Sequence, residues 1–435
     1  MTMVNAFDPN TLSALDAEDV ALIEHRNQVL GPAYRLFYEQ PLHLVRGEGV
    51  WLYDNKGKAY LDAYNNVASV GHCHPKVVEA ITRQLGILNT HTRYLHDGVV
   101  AYADRLLKSM PDALGHMMFT CTGSEANDLA LRIARSYTGR QGVIVTNRAY
   151  HGVTEAVSEI SPALGEFVHR GPRVRLIPAP DSYRVPPKEQ GALLARDLAA
   201  AIAEMRGDGI EPAAFVVDTI FSSDGLYVDP PGFLKLAVEL IRAEGGLFIA
   251  DEVQPGFART GETFWGFQRH GVVPDMVSLG KPMGNGFPVA GLAIRPELVE
   301  EFGTKARYFN TFGGSPVACA AGMAVLDIIE QEGLQENSRT IGDFLLKSFS
   351  EITAGRDDVA QVRGAGLFLA VECIDGDKAN ARLASHVVNH LRQNGVLISA
   401  IGPGANILKI RPPLVLGRGD AERLVESTKA AFNAY

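Results

Sequence analysis

The residues best suited to chemistry lie between Gly245 and Gly291. Leu247 to Ala250 is a short apolar run that ends on Asp251 and Glu252, the pattern of a buried parallel strand whose carboxyl end opens into a site. A second run, Met276 to Leu279, ends on Gly280 and Lys281. Two such strands bring a carboxylate and an amine, thirty residues apart in sequence, to one edge of a sheet, where ligands of open α/β folds collect. Gly280, Pro282, Gly284 and Gly286 keep the backbone tight and leave no bulk over the amine. A Schiff-base lysine needs that freedom, together with enough desolvation to lose its proton near neutral pH. A surface lysine in a glycine-rich turn would have the same local sequence. Asp251 weighs against it, because a carboxylate buried at a strand end is costly unless a cation faces it, and a protonated pyridine nitrogen is such a cation.

Other strand ends carry further candidates. His116 to Cys121 reads as a strand running into Thr122, Gly123 and Ser124, with a helix from Glu125 to Tyr137. A small-residue turn at a helix N-terminus offers free N–H groups to a phosphate, although on its own it is only an N-cap. The strand Val143 to Thr146 leads to Tyr150, His151 and Gly152, where an aromatic side chain either stacks on a bound ring or packs over its loop. Asp218 ends the strand Ala214 to Val217 as Asp251 ends its own. Arg411 closes the strand Ile407 to Ile410 before two prolines; its fork suits a carboxylate, or a surface ion pair. His72, Cys73 and His74 invite a metal reading, but no third ligand follows at metal-site spacing, and no metal is expected.

Taken together, ADEVQ, SLGKPMGNGFP and NTFGGSP closely resemble the class III aminotransferases, pyridoxal-phosphate enzymes of fold type I, and the resemblance runs from about Val45 to the end. It implies an α/β fold with a large domain around a mostly parallel central sheet and a smaller α/β domain from both chain ends. It implies that Lys281 holds pyridoxal 5'-phosphate, that Asp251 pairs with the pyridine nitrogen, and that Gln254 hydrogen-bonds the ring hydroxyl. Gly123 and Ser124 then form the phosphate loop, Tyr150 stacks on the ring with His151 beside it, and GHCHP matches a structural motif of the family. Thr311 would reach the cofactor phosphate of the neighbouring subunit in a homodimer with shared sites. Asp218 stands with the cofactor-binding residues where the family commonly has a glutamate that pairs with a mobile arginine; aspartate is one methylene shorter. Arg411 matches the carboxylate-binding arginine.

The implied reaction is a ping-pong transfer of an amino group from an amine or amino acid to an oxo acid. A second reaction also fits. NNVASVGHCHP, LNTHTRYLHD and VLISAIGPGANILKIRPPL are especially similar to the branch that holds alanine-glyoxylate aminotransferase 2-like enzymes and the ethanolamine-phosphate and phosphohydroxylysine phospho-lyases. In the lyases the same carbanion expels phosphate, and Arg35 and Arg93 are available as cations for it. Phe287, where those lyases tend to have histidine, and Arg411, in place of a lysine, depart from that branch. Tyr34, Val67, Tyr94, Phe221 and Phe287 are candidates for the substrate pocket.

The elements that must position these residues follow from the rest of the chain. Its 435 residues suit two domains, read here as 1–70 with 326–435 forming the smaller and 71–325 the larger. A net charge of −9 argues against a nucleic-acid partner. No apolar run reaches membrane-spanning length, and the acidic N-terminal stretch has neither a basic start nor an apolar middle. Cys73, Cys121, Cys319 and Cys373 are scattered, without a CxxC pair, and read as reduced thiols of a cytoplasmic protein. Residues 1 to about 30 are helix-prone. HLVRGEGVWLYD and KAYLDAY read as two strands, Ser161 to Gly191 as a proline-rich surface excursion, and Ala365 to Glu372 and Val396 to Ala400 as C-terminal strands between helices.

Overall fold

The computed structural model describes residues 5–435, so the first four residues of the helix-prone opening stretch lie outside the described residues. Its strands fall into three sheets. The first begins with β1 (Leu44–Glu48), β2 (Trp51–Asp54) and β3 (Ala59–Asp62). HLVRGEGVWLYD therefore holds two strands rather than the expected one, because Gly49, at a φ of +56°, turns the chain between them.

The central sheet contains β4 (His116–Thr120), β5 (Gly142–Thr146), β6 (Val174–Ile177), β7 (Pro212–Asp218), β8 (Leu247–Asp251), β9 (Met276–Leu279) and β10 (Ala290–Ile294). Their order is β4-β10-β9-β8-β7-β5-β6, and β10 alone runs antiparallel to its neighbours. The apolar runs are buried on both faces, as strands covered by helices on either side must be. Val143, Val145, Ala214, Val216 and Ile249 face one core with the helix Gly123–Thr138. Ile144, Phe215, Val217, Phe248 and Ala250 face the other with the helices Pro187–Gly207 and Lys235–Ala243. β6 corrects the reading of 161–191 as a surface excursion: four residues between prolines give little periodicity, yet they pair in parallel with β5 at the sheet edge.

The third sheet holds β11 (Val359–Ala365), β12 (Phe368–Asp375), β13 (Lys378–Ala379), β15 (Ser399–Ile401) and β16 (Ile407–Ile410), while β14 (Val396–Leu397) leaves it to join the first. Two further expectations change here. The strand read at Ala365–Glu372 is the second arm of a hairpin turned at Gly366 (φ +53°), and the strand read at Val396–Ala400 divides between two sheets. β14 pairs in parallel with β3, and the Tyr38 hydroxyl donates to the Ile398 carbonyl at 3.1 Å, so N- and C-terminal segments share one layer. The helix Pro316–Gln331 runs unbroken through position 325. Among the described residues no helix is long and apolar enough to cross a membrane.

Candidate active site

Register places the chemistry. Asp218 and Asp251 are paired neighbours on β7 and β8, and Asp251 pairs with Ser278 on β9, three residues before Lys281. The carboxyl ends of three parallel strands therefore bring both aspartates and the lysine into one cavity, at the edge where such sheets bind ligands. Gly123, Ser124, Tyr150, His151, Gln254, Gly152 and Val253 complete its lining.

Asp251 is buried and held by three donors: Asn127 Nδ2 at 2.9 Å, His151 Nδ1 at 2.7 Å and the Val253 N–H at 3.1 Å. A carboxylate only accepts, so the His151 proton sits on Nδ1; its buried Nε2 has no partner among the described residues. Asn127 also donates to the His151 carbonyl at 2.8 Å and ties both groups to the helix Gly123–Thr138. Asn127 and Val253 escaped the sequence reading. Asn127 lies one helical turn past Gly123, and that spacing was its only signal.

Lys281 opens a short 3-10 turn, Lys281–Gly284, at a φ of +33°, a region costly for a side-chain-bearing residue and frequent at functional sites. Burial chiefly, and then Arg411, pull its amine below the ordinary lysine range, while Asp251 opposes them. Its Nζ lies 5.9 Å from the centroid of the Tyr150 ring. Among the described residues no carboxylate pairs with it within 4 Å. Also lining the cavity, the helix Gly123–Thr138 begins with a capping box between Thr122 and Glu125. Ser124 Oγ accepts from the Val153 N–H at 3.1 Å. A Cβ on Gly123 would come within 2.9 Å of Val253, so only glycine lets this turn close.

Arg411 is buried beside Tyr64, with its guanidinium 4.8 Å from the ring, and its Nη1 donates to Gln254 Oε1 at 2.6 Å. Asp218 does not pair with it. The Asp218 carboxylate accepts from the Ile220 and Ser222 N–H groups, both at 3.1 Å, and from the Ser222 hydroxyl. Its pKa is raised, mainly by burial. Lys409, two residues before Arg411 on β16, donates from Nζ to the Ser222 carbonyl at 2.9 Å. Burial and Arg411 drive its pKa well down.

The remaining candidates are not among the residues that line this cavity. Tyr34 and Tyr94 are exposed, Val67 and Phe287 are half-buried in loops, and Phe221 packs against Phe233 in the core. Thr311 is exposed in the loop before the helix Pro316–Gln331. Asn310 holds that loop to Glu125 at 3.3 Å. Arg35 is exposed, and the Arg93 guanidinium lies 3.8 Å from the Phe309 ring centroid. His72 is spent on Asp62 at 2.7 Å and His74 caps the helix Pro75–Leu85, so the GHCHP histidines serve the fold.

These groups fit pyridoxal 5'-phosphate. A buried carboxylate met only by neutral donors or a histidine, an amine without an ion-pair partner and a glycine turn at a helix N-terminus supply what its pyridine nitrogen, aldehyde carbon and phosphate require.

A sequence model of class-III aminotransferases matches residues 37–432. The chain is 39% identical to an "Alanine--glyoxylate aminotransferase 2-like" protein of Drosophila melanogaster, over 98% of this chain and 89% of that one. It is 35% identical to "Ethanolamine-phosphate phospho-lyase homolog 1" of Caenorhabditis elegans, over 95% of each. Among solved structures it is similar to a phospholyase from Arthrobacter in complex with phosphoethanolamine, with a TM-score of 0.92 and 43% identity over 95% of this chain and all of that one.

Proposed function

Because the chain belongs to the class-III aminotransferase family, whose members depend on pyridoxal phosphate, we propose that this cavity transfers an amino group from an amine or amino acid to an oxo acid. The observation that carries the reading is that Lys281 and Asp251 line one cavity, from the ends of adjoining parallel strands.

When bound, pyridoxal phosphate supplies an electron sink for a carbanion at the substrate carbon. Lys281 Nζ would hold the cofactor and would serve as the base that moves the proton of the substrate carbon. Burial keeps its uncharged form accessible. His151 and Asn127 fix the orientation of the Asp251 carboxylate, which would accept from the pyridine N–H and so favour its protonated form. Gly123 and Ser124 would receive the phosphate, and Tyr150 would pack on the ring. Arg411 binds the oxo-acid carboxylate, with its guanidinium steadied by Gln254 and Tyr64. The scheme requires ping-pong kinetics.

Thr311 supports a homodimer with shared sites, since it is exposed at the rim of its own phosphate turn and free to serve a second subunit. Phe312, exposed beside it, supplies apolar surface for that contact. The four unpaired cysteines agree with a cytoplasmic setting.

Phosphate elimination from a phosphorylated amino alcohol, such as ethanolamine phosphate, is the second reading, favoured by the likeness to the Arthrobacter phospholyase. In that scheme Arg93, which lies with Phe309 beside the Thr311 loop, serves the neighbouring subunit's cavity. One experiment separates the two: incubate the purified protein with amines, amino acids and ethanolamine phosphate, and follow the cofactor spectrum and phosphate release together. Conversion to the amine form of the cofactor, with an oxo product, supports transfer. Phosphate released without any oxo acid supports elimination, and neither change overturns both.

A further inference from the structure

Gln254 borders the cavity, and the direction of its hydrogen bond to a ligand depends on which end of its amide faces inward. The surrounding donors and acceptors settle that question. Arg411 can only donate, so the atom 2.6 Å from its Nη1 is the amide oxygen. Asn66 Nδ2 adds a longer contact to the same oxygen at 3.5 Å. The nitrogen end then meets Ser222 Oγ at 2.6 Å. Ser222 has one hydroxyl proton and gives it to Asp218, leaving its oxygen free only to accept. Lys409 grips the Ser222 carbonyl, and the Asp218 carboxylate also accepts from the Ser222 N–H, so the serine is held on three sides and is fully buried.

The order Arg411, Gln254, Ser222, Asp218 is thus a directed chain in which every proton has one place to go. It leaves one Gln254 N–H without a protein acceptor among the described residues. We propose that Ser222, backed by Asp218, is a positioning residue that fixes the Gln254 amide with an N–H toward the cavity, so that the ring oxygen of the cofactor always meets a donor. The inference rests on the pyridoxal-phosphate reading above, and it gives Asp218 a task other than pairing with Arg411. Without the serine hydroxyl Arg411 still holds the amide oxygen, but the nitrogen end loses the acceptor that sets its tilt, so the N–H no longer stays aimed into the cavity and the ring oxygen loses its donor and becomes a stronger base. Ser222→Ala deletes one oxygen and leaves the Ser222 backbone bond to Asp218 in place.

The test is a pH titration of the visible absorption of the holoenzyme, with cofactor affinity measured alongside by fluorescence. Ser222→Ala raises the apparent pKa of the band by about one unit, the size of one hydrogen bond to a charged group, and weakens cofactor binding about tenfold. Ser222→Thr, which keeps the hydroxyl, restores both. Gln254→Glu still accepts from Arg411 but offers no N–H, and raises the pKa at least as far; it serves if the alanine variant does not fold. If wild-type protein takes up no pyridoxal phosphate, the reading beneath the inference falls. If it does, and Ser222→Ala titrates as wild type, the role given to Ser222 is overturned, whatever Gln254→Glu does.

Discussion

Lys281 is the side chain on which the proposed chemistry turns, and its replacement has a definite outcome. Lys281→Ala removes attachment point and base together, so the visible band of the bound cofactor disappears and turnover falls by at least about 10²–10⁴-fold, as loss of general base catalysis alone would require. Circular dichroism should remain that of the folded protein. Arg411→Ala separates substrates instead: oxo-acid turnover falls much more than turnover of an amine without a carboxylate, measured as kcat/KM for each. An equal loss for both would mark the arginine as structural, acting through Gln254. Lys281 and Asp251 were legible in the sequence because each follows an apolar run, and strand ends of parallel sheets open into sites; Arg411 showed the same strand-end pattern, although its strand is antiparallel to both neighbours. Ser222, Asn127 and Lys409 were not. The contacts that bring them to the site cross long stretches of chain, Ser222 for instance 187 residues from Lys409 and 32 from Gln254, and apart from Asn127's turn spacing from Gly123 nothing local signals them.

Among elements, the loop after β7 depends on one buried histidine. His270, closing the short helix Gly266–Arg269, has its Nε2 3.0 Å from the Thr219 carbonyl, while its Nδ1 accepts from the Gly232 N–H at 3.3 Å. A ring that donates at one nitrogen and accepts at the other is neutral, and burial lowers its pKa from 6.5 to about 4. The unfolded chain therefore takes up a proton that the folded chain refuses. This stabilising contribution is complete above about pH 6.5 and is lost as pH falls towards 4. Thermal denaturation should show wild-type Tm falling across that window, with a shallower fall in His270→Gln at a lower starting stability. Elements were readable to the extent that they were periodic. The apolar runs of β5, β7 and β8 announced themselves, whereas β6 hid between prolines and the bend at Gly49 was invisible until the pairing of β1 with β2 showed it.

The whole molecule is built for company if Thr311 serves a second subunit. Phe312 is 72% exposed beside it, and a glutamate there would bring a charge into the contact. Phe312→Glu should shift the light-scattering mass from two chains towards one, with activity per chain falling in step. A monomeric wild-type protein with full activity would remove the shared-site scheme. A last consequence follows from the parallel pairing of β14 with β3, which joins residues 396–397 to residues 61–62. The ribosome makes those two segments more than three hundred residues apart. The hairpins that emerge early must therefore wait, with one edge bare, until nearly the whole polypeptide has been synthesised, and this interval is when the nascent chain most needs a chaperone.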